Sequence, residues 1–344
     1  MTQLRPTIAA LIASVALAGT ASAADQIHIA GSSTVLPYAK IVAEMFAETY
    51  PDFRAPVVES GGTGAGLKEF CKGAGPDTIA IANASRRIKD SELENCKTNG
   101  VSEITEVKIG YDGIVFATDK SAPDFVFDPA DIYLALAAEI PVDGTLAPNP
   151  NTDWKQVNAK FAELPIQAFI PGEKHGTREV FEEKLMIAGC KASGALELME
   201  KAGVSAKDAE NKCKAVRKDG KAVDIDGDYS ETLARIDADK KAVGVFGLSF
   251  YENNADRLKV ATIGGVAPSV ETIASGDYPV SRPLFFYVKK AHLDSVPGLK
   301  EFVEFFTDDQ MIGPDSPLAD YGLIPAPDAE REDVRAAVAA WKAM

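Results

Sequence analysis

Histidine and cysteine are scarce: the 344-residue chain has three histidines and four cysteines. His28, His175 and His292 lie far along the chain from Cys71, Cys96, Cys190 and Cys213, and no CxxC spacing occurs. The common zinc patterns, which gather close pairs of such ligands, are therefore excluded, and neither a metal nor a cofactor is expected. No G-x-S-x-G elbow is present to expose a serine nucleophile, and no G-x-G-x-x-G fingerprint is present for a dinucleotide. Gly61 and Gly66 have Walker A spacing, but Leu67 and Lys68 stand where lysine and a hydroxyl residue are required, so that phosphate loop fails as well. Beyond the N-terminus no apolar run is long enough to cross a membrane. Positive charge is also short: 36 Lys and Arg face 51 Asp and Glu, for a net charge of −15. That balance excludes nucleic acid and anionic membrane as partners. Internal repeats and low-complexity tracts are absent.

What is present starts with an export signal. Arg5, the apolar stretch Ile8 to Ala18 and the small-residue site Ala21-Ser22-Ala23 read as a signal peptide over residues 1–23. The mature chain then begins at Ala24 in the periplasm, and no cysteine follows the cleavage site to carry a lipid. In an oxidising compartment the four cysteines pair. Four allow three pairings; proximity in sequence favours Cys71–Cys96 and Cys190–Cys213, each worth about 3 kcal/mol through loop closure. A composition that is 46% apolar and 25% charged is that of a globular chain with room for about two domains.

Strand and helix patterns alternate, which indicates an α/β fold with mostly parallel strands. Strands are expected at Gln26–Ala30, Ala55–Glu59, Thr78–Ala82, Ile166–Ile170, Ala242–Gly247 and Leu284–Val288. Helices are expected over Thr34–Tyr50, from Leu67 to Cys71, and over Thr177–Met186, Leu299–Phe306 and Val334–Met344. Glu106–Thr118, broken by Gly110 and Gly113, reads as a long strand that leaves one domain and enters another. Asn83–Arg87 and the proline-rich Pro141–Thr152 read as loops, and Asp224–Asp228 as an acidic turn rather than a calcium loop, since the later glutamate is missing.

Three short stretches share one property. Ala30-Gly31-Ser32-Ser33-Thr34, Ser60-Gly61-Gly62-Thr63-Gly64-Ala65-Gly66 and His175-Gly176-Thr177-Arg178 each place hydroxyls and small residues at an expected helix start. Free N–H groups and the positive end of the helix dipole favour oxyanions there. The first two stretches and Ser85-Arg86 follow strand ends, the rim where open parallel sheets bind ligands. Arg86, directly after Ser85, is better placed than Arg87 to clamp an oxyanion with its planar fork.

Together these motifs resemble the periplasmic phosphate-binding proteins of ABC importers, the PstS-type family. The matching segments are IAGSSTVLPYA, SGGTGAGLKEFC, IANASRRIKDSELENC, VKIGYDGIVF, the PGxxxGT turn, VGVFGLSFYENN and YPVSRPLFFYV, which run from Ile29 to Val288. The resemblance implies a type II binding-protein fold: two α/β lobes joined by two crossing strands, with lobe I formed by 24–112 and 256–344 and lobe II by 113–255. It implies the Cys71–Cys96 pair. It also implies a ligand shell of Thr34, the Val35 N–H, Thr63, Gly64, Ser85 and Arg86 from one lobe and His175, Gly176 and Thr177 from the other, with Ser33, Ser60, Asp112, Lys174 and Arg178 nearby. Such relatives usually carry Asp-Ser-Gly-Thr followed by an apolar residue where this chain has Lys174-His175-Gly176-Thr177-Arg178. The usual acid that accepts the proton of phosphate is thus replaced, and Glu59, Asp112, Glu173 or His175 is left to take its role.

The function implied is capture of inorganic phosphate by a monomeric receptor that closes by rotation about Gly110–Gly113 and Ser281–Leu284 and delivers its cargo to a membrane ABC permease. The alternatives are a receptor for another oxyanion or an organic phosphate (sulfate, molybdate, phosphonate), a sensory receptor, and an exported phosphoester hydrolase, the last opposed by the missing elbow and metal set.

Overall fold

The computed structural model describes residues 25–173 and 176–344. The expected signal peptide, and Lys174 and His175 of the third anion turn, lie outside the described residues. Strands β1 (His28–Gly31), β2 (Val57–Ser60) and β3 (Ile81–Ala84) form a parallel trio with β1 at its centre. Parallel neighbours require crossover connections, supplied by α1 (Leu36–Thr49) and α2 (Thr63–Phe70); α3 (Asp90–Thr98) follows β3. A proline in its first turn starts α1, which buries Tyr38, Ala39, Val42, Ala43 and Phe46 as one stripe.

Strand β4 (Ile104–Asp119) is 16 residues long. Up to Gly113 it pairs antiparallel with β13 (Ser281–Lys289). From Ile114 onward it pairs with β10 (Val243–Gly247), and its end also pairs with β11 (Leu258–Val260). Strands β8 (Ala168–Pro171) and β9 (Ala222–Ile225) continue the sheet in parallel from β10. The order β2-β1-β3-β13-β4-β10-β8-β9 therefore joins two parallel trios through two antiparallel strands. The parallel expectation holds inside each trio and ends at the link, where β4 is shared between both halves.

Short ladders complete the fold. Strand β5 (Val126–Phe127) pairs with β12 (Thr262–Ile263). Strands β6 (Glu139–Val142) and β7 (Thr145–Pro148) form a hairpin, which corrects the expectation of a loop over Pro141–Thr152. Its turn is Asp143-Gly144, at φ 47° and 78°, the dipeptide that two-residue hairpins favour. Pro141 and Pro148 are tolerated because the ribbon has only two strands. Other boundaries also differ. Helix α2 starts at Thr63 rather than Leu67, and Asn83 and Ala84 extend β3 into the expected loop. The helix expected over Thr177–Met186 spans Gly176–Phe181 and widens into a π-helical turn at Glu182–Ile187. The C-terminal helix runs over Asp328–Ala339 rather than Val334–Met344.

Alternate residues of β13 divide the first half into two cores. Leu284, Phe286 and Val288 join Ile29, Phe46, Val107, Ile109 and Phe302 on one face. Phe285 and Tyr287 join Leu67, Phe70, Cys71 and Cys96 on the other. The second half has one large core, from Ile114–Ala117 through Phe127, Trp154, Phe181 and Phe246. Leu258, Ala261, Ile263, Ile273, Tyr278 and Val280 belong to that second core. Both favoured disulfides are formed: Cys71–Cys96 joins α2 to α3, and Cys190–Cys213 joins two helices of the second half. Among the described residues no helix is long and apolar enough to cross a membrane.

Candidate functional site

The carboxyl edge of the first trio is held together by its own backbone. Gly61 N–H and Gly62 N–H donate to the Gly31 carbonyl at 3.0 and 2.9 Å, and Ser32 N–H donates to Asn83 O at 2.9 Å. Helix α2 lies close against β1: a Cβ on Gly66 would stand 2.3 Å from Gly31 Cα. Gly31 itself, at φ +143°, faces Asn83 so closely that a Cβ would meet its carbonyl oxygen at 2.1 Å. These approaches bring the loops after β1, β2 and β3 side by side.

Each loop then presents hydroxyls. Ser32 Oγ accepts from Thr34 N–H at 3.2 Å and Val35 N–H at 3.4 Å, so the expected Val35 donor is taken up by Ser32 here. Thr63 Oγ1 and Ser85 Oγ are 3.1 Å apart, and Ser85 N–H donates to Thr63 Oγ1 at 3.1 Å. Ser32, Thr34, Thr63 and Ser85 are buried, and Ser60 is exposed. Arg86 lies at the start of α2, where a Cβ on Gly64 would be 3.9 Å from its Nη2. Its fork is held by both carboxylate oxygens of Glu92 at 2.8 Å, and Glu92 also receives Lys89 N–H at the start of α3.

The centre of the site is a residue that the sequence reading passed over. Arg282 stands on β13 in register with Asp112 of β4. Their side chains are each 4% exposed, with Nε 3.6 Å from Asp112 Oδ2. Arg282 Nη2 donates to Thr34 Oγ1 and lies 3.3 Å from Glu179 Oε2, while Nη1 lies 3.3 Å from Glu183 Oε2. Glu179 Oε2 also accepts from Thr34 Oγ1 at 3.2 Å and Ser33 Oγ at 3.4 Å. One guanidinium thus joins the first-half loops, both linking strands and the Gly176–Phe181 helix. Burial pushes the Asp112 carboxyl up, opposed by the Arg282 charge, and burial raises the Tyr38 and Tyr229 phenols beside it.

The second half contributes less than expected among the described residues. Gly176 opens its helix. Thr177 Oγ1 is buried without a partner in good hydrogen-bond geometry, next to the Tyr229 phenol. Arg178 is buried, donates to Pro171 O and pairs with Glu182 and Asp224. Glu59 and Glu173 are exposed. Asp112, Glu179 and Glu183 are the carboxylates gathered around Arg282. Arg282 had one sequence signal, a lone cation at the head of the apolar strand SRPLFFYV; nothing local marked Glu179. Hollows of about 500, 770 and 480 Å³ are lined by other residues. No group of three or more potential metal ligands is found among the described residues.

Comparison with known proteins bears on the family and the fold. A family model described as a PBP superfamily domain matches residues 17–310. The chain is 30% identical over 322 residues to protein SphX of Synechococcus elongatus, covering 89% of this chain and 83% of that one. It is 29% identical over 310 residues to the phosphate-binding protein PstS of Staphylococcus haemolyticus, covering 88% and 82%. The crystal structure of a possible phosphate binding protein from Planctomyces limnophilus superposes with a TM-score of 0.70 at 27% identity, covering 93% of this chain and all of that one. An ABC-type phosphate transport receptor from Vibrio cholerae shares the fold, with a TM-score of 0.56 at 19% identity. The chain belongs to the PBP superfamily, as a substrate-binding protein of the PstS type.

Proposed function

We propose that this chain is an exported receptor that captures inorganic phosphate between its two lobes and delivers it to a membrane ABC importer. The observation that carries this reading is that Thr34, Thr63 and Ser85 stand buried at the carboxyl edge of the first trio, with the buried Arg282 guanidinium on Thr34 Oγ1. Hydroxyls and a planar guanidinium are the donors that a tetrahedral oxyanion uses. The names of the relatives support the same ligand. In this reading Thr34, Thr63, Gly64, Ser85 and Arg86 bind from the first lobe, Gly176 and Thr177 with His175 bind from the second, and Arg282 joins them from the crossing strand. The buried Asp112, held against the Arg282 guanidinium, serves as the acceptor for the proton that phosphate keeps and sulfate lacks. An unpaired buried polar group costs about 1–3 kcal/mol, so this pairing discriminates the two anions. The lobes turn about Gly110–Gly113 and Ser281–Leu284, and the protein works as a periplasmic monomer.

Calorimetry on stripped protein tests this reading with phosphate, sulfate, molybdate and a phosphonate. Phosphate is expected to bind with a clear preference over sulfate. Heat with another anion and none with phosphate would overturn the assignment.

A further inference from the structure

The Glu179 carboxylate sits where an oxyanion oxygen would be received. Its Oε2 lies 3.2 Å from Thr34 Oγ1, 3.4 Å from Ser33 Oγ and 3.3 Å from Arg282 Nη2. Two hydroxyls and a guanidinium around one oxygen form the donor set that a charged oxygen recruits. The donors stand on the first lobe and on β13. The carboxylate reaches them from the Gly176–Phe181 helix, whose Val180 and Phe181 pack in the second core.

We propose that Glu179 is a built-in competitor for the anion site and a latch between the lobes: its carboxylate and an oxyanion exclude each other at Ser33, Thr34 and Arg282. This rests on the reading of the cleft as an anion site. Charge carries the first part. Arg282 faces Asp112, Glu179 and Glu183, so among the described residues its guanidinium is already shared by three carboxylates. An oxyanion placed beside Glu179 would add like charge where water is largely excluded, and there repulsion is strong. Exposure carries the second part. The Asp112 side chain is 4% exposed, whereas that of Glu179 is 33% exposed. Glu183, 48% exposed, can turn to water as well, but Glu179 is the one of the two that also holds Ser33 and Thr34; Asp112 is the carboxylate that stays. Affinity is then an intrinsic affinity reduced by the share of molecules in which Glu179 holds the cradle.

Two variants test this, Glu179→Ala and Glu179→Gln, the second keeping the shape while removing the charge. Each is titrated with inorganic phosphate and with sulfate by calorimetry. Small-angle scattering is recorded on the dialysed proteins without anion. Glu179→Ala is expected to bind phosphate about tenfold more tightly, the factor released when a competitor seated nine-tenths of the time is removed. Glu179→Gln is expected to move in the same direction. The dialysed alanine variant is expected to scatter as a more open particle than the wild type. Equal or weaker phosphate binding in both variants overturns the competitor; weaker binding with a lost preference over sulfate makes Glu179 a ligand contact instead. Identical scattering overturns the latch. A wild-type protein that binds no anion defeats the phosphate reading, while the scattering comparison still decides the latch.

Discussion

Arg282 and Asp112 face each other on adjacent strands, deep between the lobes, and neither has much water to fall back on. Removing one member of such a pair leaves the other charge buried and uncompensated, which costs about 3–5 kcal/mol. Arg282→Met is therefore expected to lower stability by about that amount in urea unfolding, and to weaken anion binding by about 100-fold or more. Adding Asp112→Asn should restore much of the stability and none of the affinity. An Arg282→Met protein that binds phosphate normally would remove Arg282 from the site. The hydroxyls at Thr34, Thr63 and Ser85 were legible from local sequence, because each follows a strand and the first two also adjoin or open a helix. Arg282 and Glu179 were not. Arg282 meets Thr34 across 248 residues, and Glu179 meets it across 145; such partners are chosen by the fold. Arg178 shows the converse: it looked like a cation at a helix start, but its fork is taken by Asp224 and the Pro171 carbonyl.

At the scale of elements, the glycines of SGGTGAG have two different tasks. Gly62 turns the chain at φ +83° ahead of α2, a conformation that glycine adopts without cost. Gly66 is a contact residue, and it sets how near α2 can come to β1. A methyl group at 2.3 Å from Gly31 Cα cannot be accommodated without moving the helix. Gly66→Ala is accordingly expected to cost about 1–3 kcal/mol and to weaken anion binding by displacing Thr63. Gly64→Ala, whose added methyl would stay 3.9 Å from Arg86, is expected to leave unfolding unchanged. Urea denaturation of both proteins checks this, and equal stability would refute the close-packing account. The sequence pattern located this turn correctly and started its helix four residues late, because glycines weaken helical periodicity. The β6–β7 hairpin was missed for a related reason: two prolines outweighed the Asp143-Gly144 turn between them.

Across the whole molecule, alternation of strand and helix predicted an α/β fold, length left room for about two domains and the family resemblance implied two lobes; the structure has two parallel trios joined through β4 and β13. What alternation did not reveal is where each unit ends. The stretch from Leu258 to Val280 follows the second core because its apolar residues pack there, a choice that depends on surfaces formed only after folding. The net charge of −15 also acts at this scale. It offers an approaching anion no long-range attraction, so affinity depends on the short-range donors of the cleft and on what competes for them. In the proposed reading one oxyanion site lies between the lobes, built on Thr34 and Arg282. A crystal structure of the protein saturated with phosphate tests it most directly. Phosphate is expected between the lobes, within hydrogen-bond reach of Thr34 Oγ1 and the Arg282 guanidinium, with the Glu179 carboxylate turned away. Phosphate seated elsewhere, with Thr34 and Arg282 still held by Glu179, would contradict it.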